Sequence, residues 1–411
     1  MHETSSGIII IGAGLAGLNV AESLRAEGFA GAITLLGDES SGPYHRPPLS
    51  KGFLLGDTAE AALVMRAPEL LAKKNISLKV GVGVTAIDRT AKQIRLSDGS
   101  SLPYDGLALC TGARLRPLTL PGAEAQGVIG LRSLADAKAI SAALETANTV
   151  VVIGGGFIGL EVAAAARKKG KTVTVLEAAD RLMARAVAPL ISQFYLDLHQ
   201  SNGVDVVLGV TVSELVTDNG RIATVKTADG RHFAADLLIV GIGILPNAEL
   251  AAAAGLECTH GVVVDACSRT SDPHIVAAGD CTARRMDDGS LRRLESVQNA
   301  MEQGKSAAAA LLGKERAFTA TPWFWSDQYD VKLQMVGLNG GFDQAVTRGT
   351  IDTSGDKKFS VFYYRAGTLI AIDSINQPAE HMTGRKLFDK GISPSPEQAA
   401  DTGFALNSLL T

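Results

Sequence analysis

The sequence predicts an α/β protein with two domains built on βαβ units, the first of them discontinuous, and a small α+β domain at the C-terminus. A β-branched strand, a glycine-rich turn and a helix occur together twice, near residues 7–36 and 149–177. From residue 321 onward the pattern changes to short strand-like segments separated by glycine turns. The chain has 411 residues, too many for one compact core, so two or three domains are expected.

The composition is that of an ordinary globular protein, with 46% hydrophobic and 20% charged residues. The formal net charge of -4 gives no reason to expect nucleic acid as a partner. The apolar run at residues 8–11 is too short for a membrane span and has no cationic stretch before it. We therefore expect a cytoplasmic protein without a membrane partner. The four cysteines show neither metal-ligand spacing nor a C-x-x-C pair, so no metal site is predicted.

The first βαβ unit carries the pattern G-x-G-x-x-G between its first strand and its helix. Gly12 allows the tight turn, Gly14 lets the backbone approach a pyrophosphate, and Gly17 lets the helix pack against the strand. The acid that binds a ribose usually ends the second strand of such a unit. Here the first acidic residues come slightly after the end of the strand, and Asp38 or Glu39 is the candidate. The unit is predicted to be a Rossmann-like dinucleotide-binding domain.

The second βαβ unit repeats the pattern with Gly154, Gly156 and Gly159. Its second strand ends on Glu177, whose carboxylate would accept hydrogen bonds from the ribose hydroxyls and repel a 2′-phosphate. Arg181 lies close enough to temper this argument. The residues favour NADH over NADPH, and two fingerprints in one chain predict two dinucleotides.

Three further apolar runs are predicted to be buried strands that end in turns. Thr111-Gly112 ends one, the turn at 241–247 ends another, and Gly279-Asp280 ends the third. By themselves the first two are also consistent with ordinary crossovers between domains. The order of all these elements resembles that of the glutathione-reductase-type two-dinucleotide flavoproteins. In that family such turns mark the passage between the FAD and NAD domains, and the Gly-Asp aspartate contacts FAD.

Three segments resemble one branch, the ferredoxin reductases of bacterial oxygenase systems. They are Pro-Tyr-His-Arg-Pro-Pro-Leu-Ser-Lys at 43–51, Glu-Ser-Val-Gln-Asn-Ala at 295–300 and Pro-Trp-Phe-Trp-Ser-Asp-Gln at 322–328. The resemblance covers essentially the whole chain. It implies FAD and NADH as cofactors and a [2Fe–2S] ferredoxin as the electron acceptor, which would feed a cytochrome P450 or a ring-hydroxylating dioxygenase.

The resemblance also implies roles for particular residues. Lys51 would lie near the flavin N5 edge and pair with Glu161, which would lie near the nicotinamide, and these two are the candidate catalytic residues. Trp325 would pack by the isoalloxazine. From the residues alone, Lys51 could also be a solvated lysine, Glu161 a first-turn acid favoured by the helix dipole, and Trp325 a core aromatic. The residues that would line FAD are Ala16, Asp38, Val84, Arg132, Asp280 and Val297.

The stretch from Asp38 to Lys51 contains no cysteine. The disulfide-reducing branch of the family carries a redox pair after the first βαβ unit, and only sulfur can form the mixed disulfide. A dithiol relay is therefore excluded, and electrons must leave the flavin directly. Two alternatives are an NADH oxidase, which would lack its cysteine here, and an NADH-sensing flavoprotein, for which no linker or presequence is visible.

These observations assign the domains. We expect an FAD-binding domain at 1–115 and 245–318, an NAD-binding domain at 116–244 and the C-terminal α+β domain at 319–411. The strands predicted in the last domain lie at 332–336, 344–348, 359–364 and 369–374. If the ferredoxin is acidic, basic residues near the flavin edge would dock it, and Arg66 and Lys305 are the candidates by sequence position.

Overall fold

The computed structural model of the chain describes residues 7–411, and they form two compact units. The first unit comprises residues 7–45, Glu60–Arg114 and Ile244–Ala320. The second unit comprises Arg46–Ala59, Leu115–Gly243 and Thr321–Thr411. Each unit is therefore assembled from segments that are distant in sequence.

The α-helices of the described residues are α1 Leu15–Ala26, α2 Gly52–Leu55, α3 Glu60–Leu63, α4 Pro68–Lys73, α5 Leu134–Thr146, α6 Phe157–Lys168, α7 Pro189–Ser201, α8 Glu249–Ala253, α9 Val297–Leu311, α10 Pro378–Asp389 and α11 Pro396–Ala400. Two 3₁₀ helices span Pro47–Ser50 and Leu406–Leu410. Across residues 7–411, none of the helices combines the length and apolar character needed to cross a bilayer.

The strands are β1 Ile8–Ile11, β2 Ile33–Leu36, β3 Ile76–Lys79, β4 Val84–Asp88, β5 Gln93–Leu96, β6 Ser101–Pro103, β7 Gly106–Leu109, β8 Ala113–Leu115, β9 Val128–Gly130, β10 Thr149–Ile153, β11 Thr172–Leu176, β12 Val204–Val207, β13 Val212–Asp218, β14 Arg221–Thr227, β15 His232–Ala234, β16 Leu237–Val240, β17 Ile244–Pro246, β18 Val262–Val264, β19 Ile275–Ala277, β20 Thr282–Arg285, β21 Leu291–Arg292, β22 Trp323–Gln328, β23 Val331–Gly337, β24 Gln344–Gly349, β25 Phe359–Arg365 and β26 Thr368–Ile375.

The first unit is built on a five-stranded parallel sheet in the order β19-β7-β1-β2-β3. The central strand β1 is four isoleucines, all buried, because both faces of the sheet are covered. Ile8 and Ile10 pack into one apolar cluster, and Ile9 and Ile11 into another. The strand order reverses between β1 and β7, which is where open parallel sheets form their ligand crevice.

Two three-stranded sheets also belong to the first unit. The order is β4-β5-β6 in one, which is antiparallel, and β18-β20-β21 in the other, which is mixed. Neither sheet was predicted from the sequence, and β4 of the first has no clean alternation of buried and exposed residues.

The second unit contains a five-stranded parallel sheet in the order β12-β11-β10-β16-β9, the same arrangement as in the first unit. An antiparallel sheet, β13-β14-β15, lies within the same chain segment. The strand predicted at 149–153 is observed as β10 with the same bounds.

The C-terminal part of the second unit is an antiparallel sheet in the order β22-β23-β26-β25-β24, followed by α10 and α11. The buried Arg348 of β24 is 2.8 Å from Glu380 and also donates to backbone carbonyls near the C-terminus. All four predicted strands are present, and β22 precedes them. The predicted fold class, two Rossmann-like domains followed by an α+β domain, is confirmed.

Candidate functional site

The first glycine loop connects β1 to α1, and each glycine has its own geometric reason. Gly12 has a φ of 113°, and a Cβ added to it would lie 2.0 Å from the carbonyl oxygen of Cys110. A Cβ on Gly17 would lie 2.0 Å from the Gly12 oxygen. By contrast, a Cβ on Gly14 would meet open space, and Gly14 caps α1 without a side-chain hydrogen bond. The helix N-terminus is thus open to a phosphate, as a dinucleotide requires.

The second glycine loop connects β10 to α6 and repeats this geometry. Gly154 has a φ of 103°, and its Cβ would lie 2.4 Å from the Gly241 oxygen. A Cβ on Gly159 would lie 2.2 Å from the Gly154 oxygen, whereas one on Gly156 would meet open space. Gly156 caps α6, again without a side-chain hydrogen bond. The second loop therefore also fits a pyrophosphate.

The two units differ at the residue that follows the second strand. A Cβ on Gly37 would lie 2.8 Å from the Cβ of Ala13, so that position has no room for a side chain. In the second unit the glycine lies in the loop instead, as Gly155, and an acid, Glu177, follows the strand. The Glu177 carboxylate accepts from the Gly155 N–H over 2.5 Å. This difference explains why the predicted acid comes late in the first βαβ unit.

The late acids of the first unit have different surroundings. Asp38 is exposed, whereas Glu39 is half-buried and accepts a hydrogen bond of 2.6 Å from the Tyr44 hydroxyl. Of the two, Glu39 is therefore engaged within the protein, and Asp38 is available to a ribose.

The predicted Gly279-Asp280 turn follows β19 in the first unit. A Cβ on Gly279 would lie 3.0 Å from the Cβ of Ala16 in α1, so the turn and the first glycine loop are close neighbours. Asp280 is half-buried beside it. Val297 begins α9 and Val84 begins β4, and both are half-buried.

Two buried residues of α9 that the sequence analysis did not single out hold this turn. The side-chain oxygen of Gln303 accepts from the Gly279 N–H at 2.8 Å, from the Thr282 hydroxyl at 3.0 Å and from the Asn299 amide at 3.1 Å. Asn299 and Gln303 lie one helical turn apart on a helix that contains five alanines, and that spacing of amides was the available signal.

In the second unit the structure brings Lys51 and Glu161 together. Lys51 Nζ lies 2.7 Å from Oε2 of Glu161, which is only 3% exposed. Ser50 donates to the same oxygen at 2.5 Å, and Ser326 donates to Oε1 at 2.6 Å. Both carboxylate oxygens are thus satisfied in a buried place, as an ionised group requires. The two serines were missed, although each lies inside a segment that carried the family resemblance.

The remaining predicted residues of the second unit are Trp325 and Arg132. Trp325 is half-buried on β22, with its ring centroid 5.7 Å from that of Trp323. Arg132 is half-buried just before α5, and its carbonyl oxygen accepts from Arg46 at 2.7 Å.

The cysteines are free thiols throughout the described part of the chain. Cys110 and Cys281 are buried, and burial raises the pKa of both thiols above the usual value. A buried thiol with a raised pKa is a poor nucleophile. Within residues 7–411 there is also no cluster of three or more His, Cys, Asp or Glu side chains that could hold a metal ion.

Comparison with known proteins adds family evidence. The model described as pyridine nucleotide-disulphide oxidoreductase matches residues 6–304, and the model described as reductase C-terminal matches residues 323–410. Rhodocoxin reductase of Rhodococcus erythropolis is 46% identical over 400 residues, which cover 97% of this chain and 93% of that protein.

The relatives with solved structures include two ferredoxin reductases. The ferredoxin reductase for the CYP199A2 system of Rhodopseudomonas palustris is 43% identical, with a TM-score of 0.96 over 99% of this chain and 100% of that chain. Putidaredoxin reductase of Pseudomonas putida is 42% identical over 99% of this chain and 97% of that protein. Its covalent complex with putidaredoxin gives a TM-score of 0.94, covering 98% of each chain. The predicted resemblance to ferredoxin reductases, putidaredoxin reductase among them, is confirmed.

Together these matches extend over both glycine loops and the C-terminal sheet. They also confirm the prediction of an oxidoreductase that uses FAD and a nicotinamide dinucleotide. The chain belongs to the pyridine nucleotide-disulphide oxidoreductase family, whose members use FAD and NAD(P)H, and it ends in a reductase C-terminal domain.

Proposed function

We propose that this protein passes electrons from NADH via FAD to a [2Fe–2S] ferredoxin, which serves a cytochrome P450 or a ring-hydroxylating dioxygenase. The proposed domains are FAD-binding at 1–115 and 245–318, NAD-binding at 116–244, and C-terminal at 319–411. The observation that carries the proposal is the buried ion pair between Lys51 and Glu161. Glu161 follows the second glycine loop, and the stretch from Asp38 to Lys51 contains no cysteine. The names of the relatives, which are ferredoxin reductases, agree with it.

In this proposal each glycine loop holds one dinucleotide. Gly12, Gly14 and Gly17 would hold the pyrophosphate of FAD, and Gly154, Gly156 and Gly159 that of NADH, since both helix N-termini are open. When bound, FAD accepts a hydride from NADH and releases single electrons to the acceptor. The FAD-lining residues proposed from the resemblance are Ala16, Asp38, Val84, Arg132, Gly279, Asp280, Val297 and Trp325.

The environment of Glu177 supports NADH rather than NADPH. Its two oxygens accept from the backbone N–H groups of Gly155 at 2.5 Å and Ala179 at 2.7 Å, which hold the carboxylate beside the loop. Arg181 lies nearby in sequence, but its guanidinium donates to the Val187 and Ala184 oxygens at 2.8 and 2.6 Å. It would have to give up these bonds to bind a 2′-phosphate.

Lys51 and Glu161 would act by position and charge. The buried carboxylate of Glu161 holds the Lys51 ammonium in one place over 2.7 Å. A fixed positive charge stabilises negative charge that develops near it, especially where water is excluded. Lys51 would thus favour reduction at the flavin edge, and Glu161 would keep the ammonium there.

The cysteines support direct electron exit. In the described chain they form no disulfide, and the pKa of the buried Cys110 and Cys281 is raised by burial. A relay through sulfur needs a reactive thiolate, so a one-electron acceptor that takes electrons directly is favoured.

Arg66 is one proposed docking residue. Its Nε lies 2.9 Å from Oε1 of Glu22, and Lys74 Nζ lies 2.6 Å from the same oxygen. Two cations share one carboxylate here, so the group keeps a surplus positive charge.

Lys305 is the other proposed docking residue and has a similar setting. Its Nζ lies 2.6 Å from Glu302, whose other oxygen is 3.9 Å from Arg316. Again two cations face one carboxylate, and both groups of charges suit an acidic partner.

Steady-state oxidation of NADH with and without an added [2Fe–2S] ferredoxin tests the proposal. We expect slow oxidation alone and a large stimulation by the ferredoxin, with the ferredoxin reduced in step. Fast oxidation that consumes oxygen without ferredoxin would instead show an NADH oxidase. Slow reduction by NADH that the ferredoxin does not accelerate would show an NADH-sensing flavoprotein.

A further inference from the structure

A line of hydrogen bonds runs through the second unit to Glu161. The Tyr329 hydroxyl lies 3.3 Å from Nδ1 of His199, and Nε2 of His199 lies 2.8 Å from Oε1 of Gln328. Nε2 of Gln328 then donates to Ser326 Oγ at 3.2 Å, and Ser326 donates to Glu161 Oε1 at 2.6 Å. The line joins α7, β22 and α6.

The chemistry of the groups sets one direction for these bonds. A carboxylate only accepts, so Ser326 must donate to Glu161 and use its lone pair for the Gln328 amide. The amide oxygen of Gln328 also only accepts, so His199 carries its proton on Nε2. Nδ1 is then free to accept from Tyr329. Every donor in the line thus points toward the ionised carboxylate.

The three middle residues of the line are fully enclosed. His199 and Ser326 are 0% exposed, and Gln328 is 1% exposed. A buried hydroxyl held on both sides keeps a single orientation, because any rotation would leave a buried polar atom without a partner. Ser326 therefore fixes Oε1 of Glu161, which leaves Oε2 directed at Lys51.

We propose that Ser326, held by Gln328 and His199, is a positioning residue for hydride transfer, because it keeps Glu161 in the orientation that holds Lys51. The inference rests on the proposed function, in which Lys51 lies at the flavin edge. Without the hydroxyl, Oε1 would be buried and unpaired while Oε2 carries two donors, so the carboxylate would turn and loosen the Lys51 ion pair.

The test uses the holoenzyme with Ser326→Ala, with Ser326→Thr as the conservative rescue and with Ser326→Cys as a second variant of similar size. Ser360→Ala is the matched control. Ser360 is also buried, lies on β25 of the same sheet and donates to a glutamate, Glu380, at 2.5 Å. The Ser360→Ala variant therefore loses the same kind of hydrogen bond, from a serine to a glutamate, and leaves the bonds of Glu161 unchanged.

The first readout is independent of activity. Competitive acetylation followed by mass spectrometry reports how well each lysine ammonium is protected. Lys51 is 18% exposed and Lys357, paired with Asp330 at 2.7 Å, is 16% exposed, so Lys357 serves as the internal reference. In Ser326→Ala we expect Lys51 to react several-fold faster while Lys357 is unchanged.

The second readout is anaerobic stopped-flow reduction by NADH. Ser326→Ala should lower the limiting rate of flavin reduction roughly tenfold, with the Kd for NADH nearly unchanged, because positioning and not binding is lost. Ser326→Thr should restore both readouts. In a Glu161→Gln background, adding Ser326→Ala should lower the rate no further, because the two residues act together.

Parent-like labelling and rates in Ser326→Ala and Ser326→Cys would overturn the inference. Equal changes in Lys51 labelling and in the rate of flavin reduction in Ser326→Ala and Ser360→Ala would also overturn it, since they would indicate only a general structural effect. If the parent itself were not reduced by NADH, the proposed function would fail, and with it the role in hydride transfer. The labelling would then still decide whether Ser326 holds the Lys51 pair.

Discussion

The carboxylate of Glu177 accepts a hydrogen bond of 2.5 Å from the backbone N–H of Gly155, so the acid that follows β11 is held against the second glycine loop. A Cβ on Gly155 would lie 3.1 Å from that carboxylate oxygen and 2.5 Å from Leu182. The loop glycine and the acid therefore form one structural element, and its selectivity can be tested directly.

Replacing Glu177 should weaken the preference for NADH. We expect Glu177→Ala to lower kcat/KM for NADH. The corresponding loss of transition-state stabilisation should be about 1–3 kcal/mol, the range for buried polar groups left unpaired. Glu177→Arg should also narrow the gap to NADPH. Steady-state kinetics with both nucleotides measure this, and Asp180→Ala, an exposed acid three residues on, is the control. A parent enzyme that prefers NADPH would contradict the assignment.

Replacing Asp280 should loosen FAD. The parent should be yellow and keep its flavin through gel filtration, because in the proposed function the first glycine loop and the Gly279-Asp280 turn both hold FAD. In Asp280→Ala the Kd for FAD should rise while the proposed NAD-binding domain stays folded, which flavin fluorescence and circular dichroism can show. The exposed Asp288→Ala provides the comparison. Parent-like retention of flavin in Asp280→Ala would remove this residue from the FAD site.

Replacing one partner of the Lys51–Glu161 pair should lower the free energy of unfolding more than replacing both partners. Lys51→Met leaves the carboxylate of Glu161, 3% exposed, without its cation, and such a loss costs about 3–5 kcal/mol for a fully buried pair. Because Lys51 is 18% exposed, we expect the lower end of that range. The double variant Lys51→Met/Glu161→Gln should regain most of the loss in urea unfolding. A double variant less stable than Lys51→Met would show that the charges were not coupled.

His199 should make the protein sensitive to acid. Burial lowers its pKa to about 4, against 6.5 for an ordinary histidine, although its bond to Gln328 acts in the opposite direction. The unfolded chain therefore takes up a proton as pH falls below 6.5, whereas the folded protein does not. Stability contributed by the neutral imidazole is full above pH 6.5 and is lost as pH falls toward 4, by about 3 kcal/mol in total.

The measurement is the free energy of unfolding from pH 7 to 4. His199→Gln should show a shallower fall than the parent over this interval, because it removes the titrating group. The exposed His232→Gln should follow the parent curve. Parallel curves for His199→Gln and the parent would mean that His199 does not titrate as described.

Reversing the charge of Lys305 should affect only the transfer to ferredoxin. Lys305→Glu should slow reduction of an acidic [2Fe–2S] ferredoxin, and rising salt should slow it in the parent, because encounter depends on screened charge. NADH reduction of the flavin should barely change. Lys226→Glu is the control, since Lys226 is also 32% exposed and ion-paired, at 3.1 Å. Stopped-flow measurement across ionic strength gives the rate of flavin reduction by NADH and the rate of ferredoxin reduction separately. Equal salt dependence of the two rates would contradict an electrostatic docking site.

The parallel sheets were predictable because their strands are continuous apolar runs. Ile8–Ile11 and Thr149–Ile153 are each followed by a glycine-rich turn, and both were found at or within one residue of the expected position. The strand Trp323–Gln328 was not predicted, since its aromatic residues carried a family resemblance but no alternating pattern. Strand Val84–Asp88 is largely exposed and gave no periodic signal.

The site was less accessible to sequence reasoning. The glycines and Glu177 follow from local spacing, because strand, loop and helix are adjacent in the chain. The contact of Lys51 with Glu161 spans 110 positions and that of Ser326 with Glu161 spans 165, so no periodicity encodes either. The family resemblance suggested the first, and only the three-dimensional structure reveals the second.

The interleaving of the two units has a consequence for biosynthesis. Strand β7 of the first sheet pairs with β19, which the ribosome makes only after the whole segment Leu115–Gly243 of the second unit. Glu161 likewise lacks the hydrogen bond to its Oε1 until Ser326 has been made. The first unit cannot close until its last segment, Ile244–Ala320, has been made, and the second unit also needs Thr321–Thr411. Long-range pairing of this kind is slow and exposes apolar surface to aggregation. We expect newly made chains to depend on chaperones until β22 emerges, and products truncated before residue 321 to be degraded.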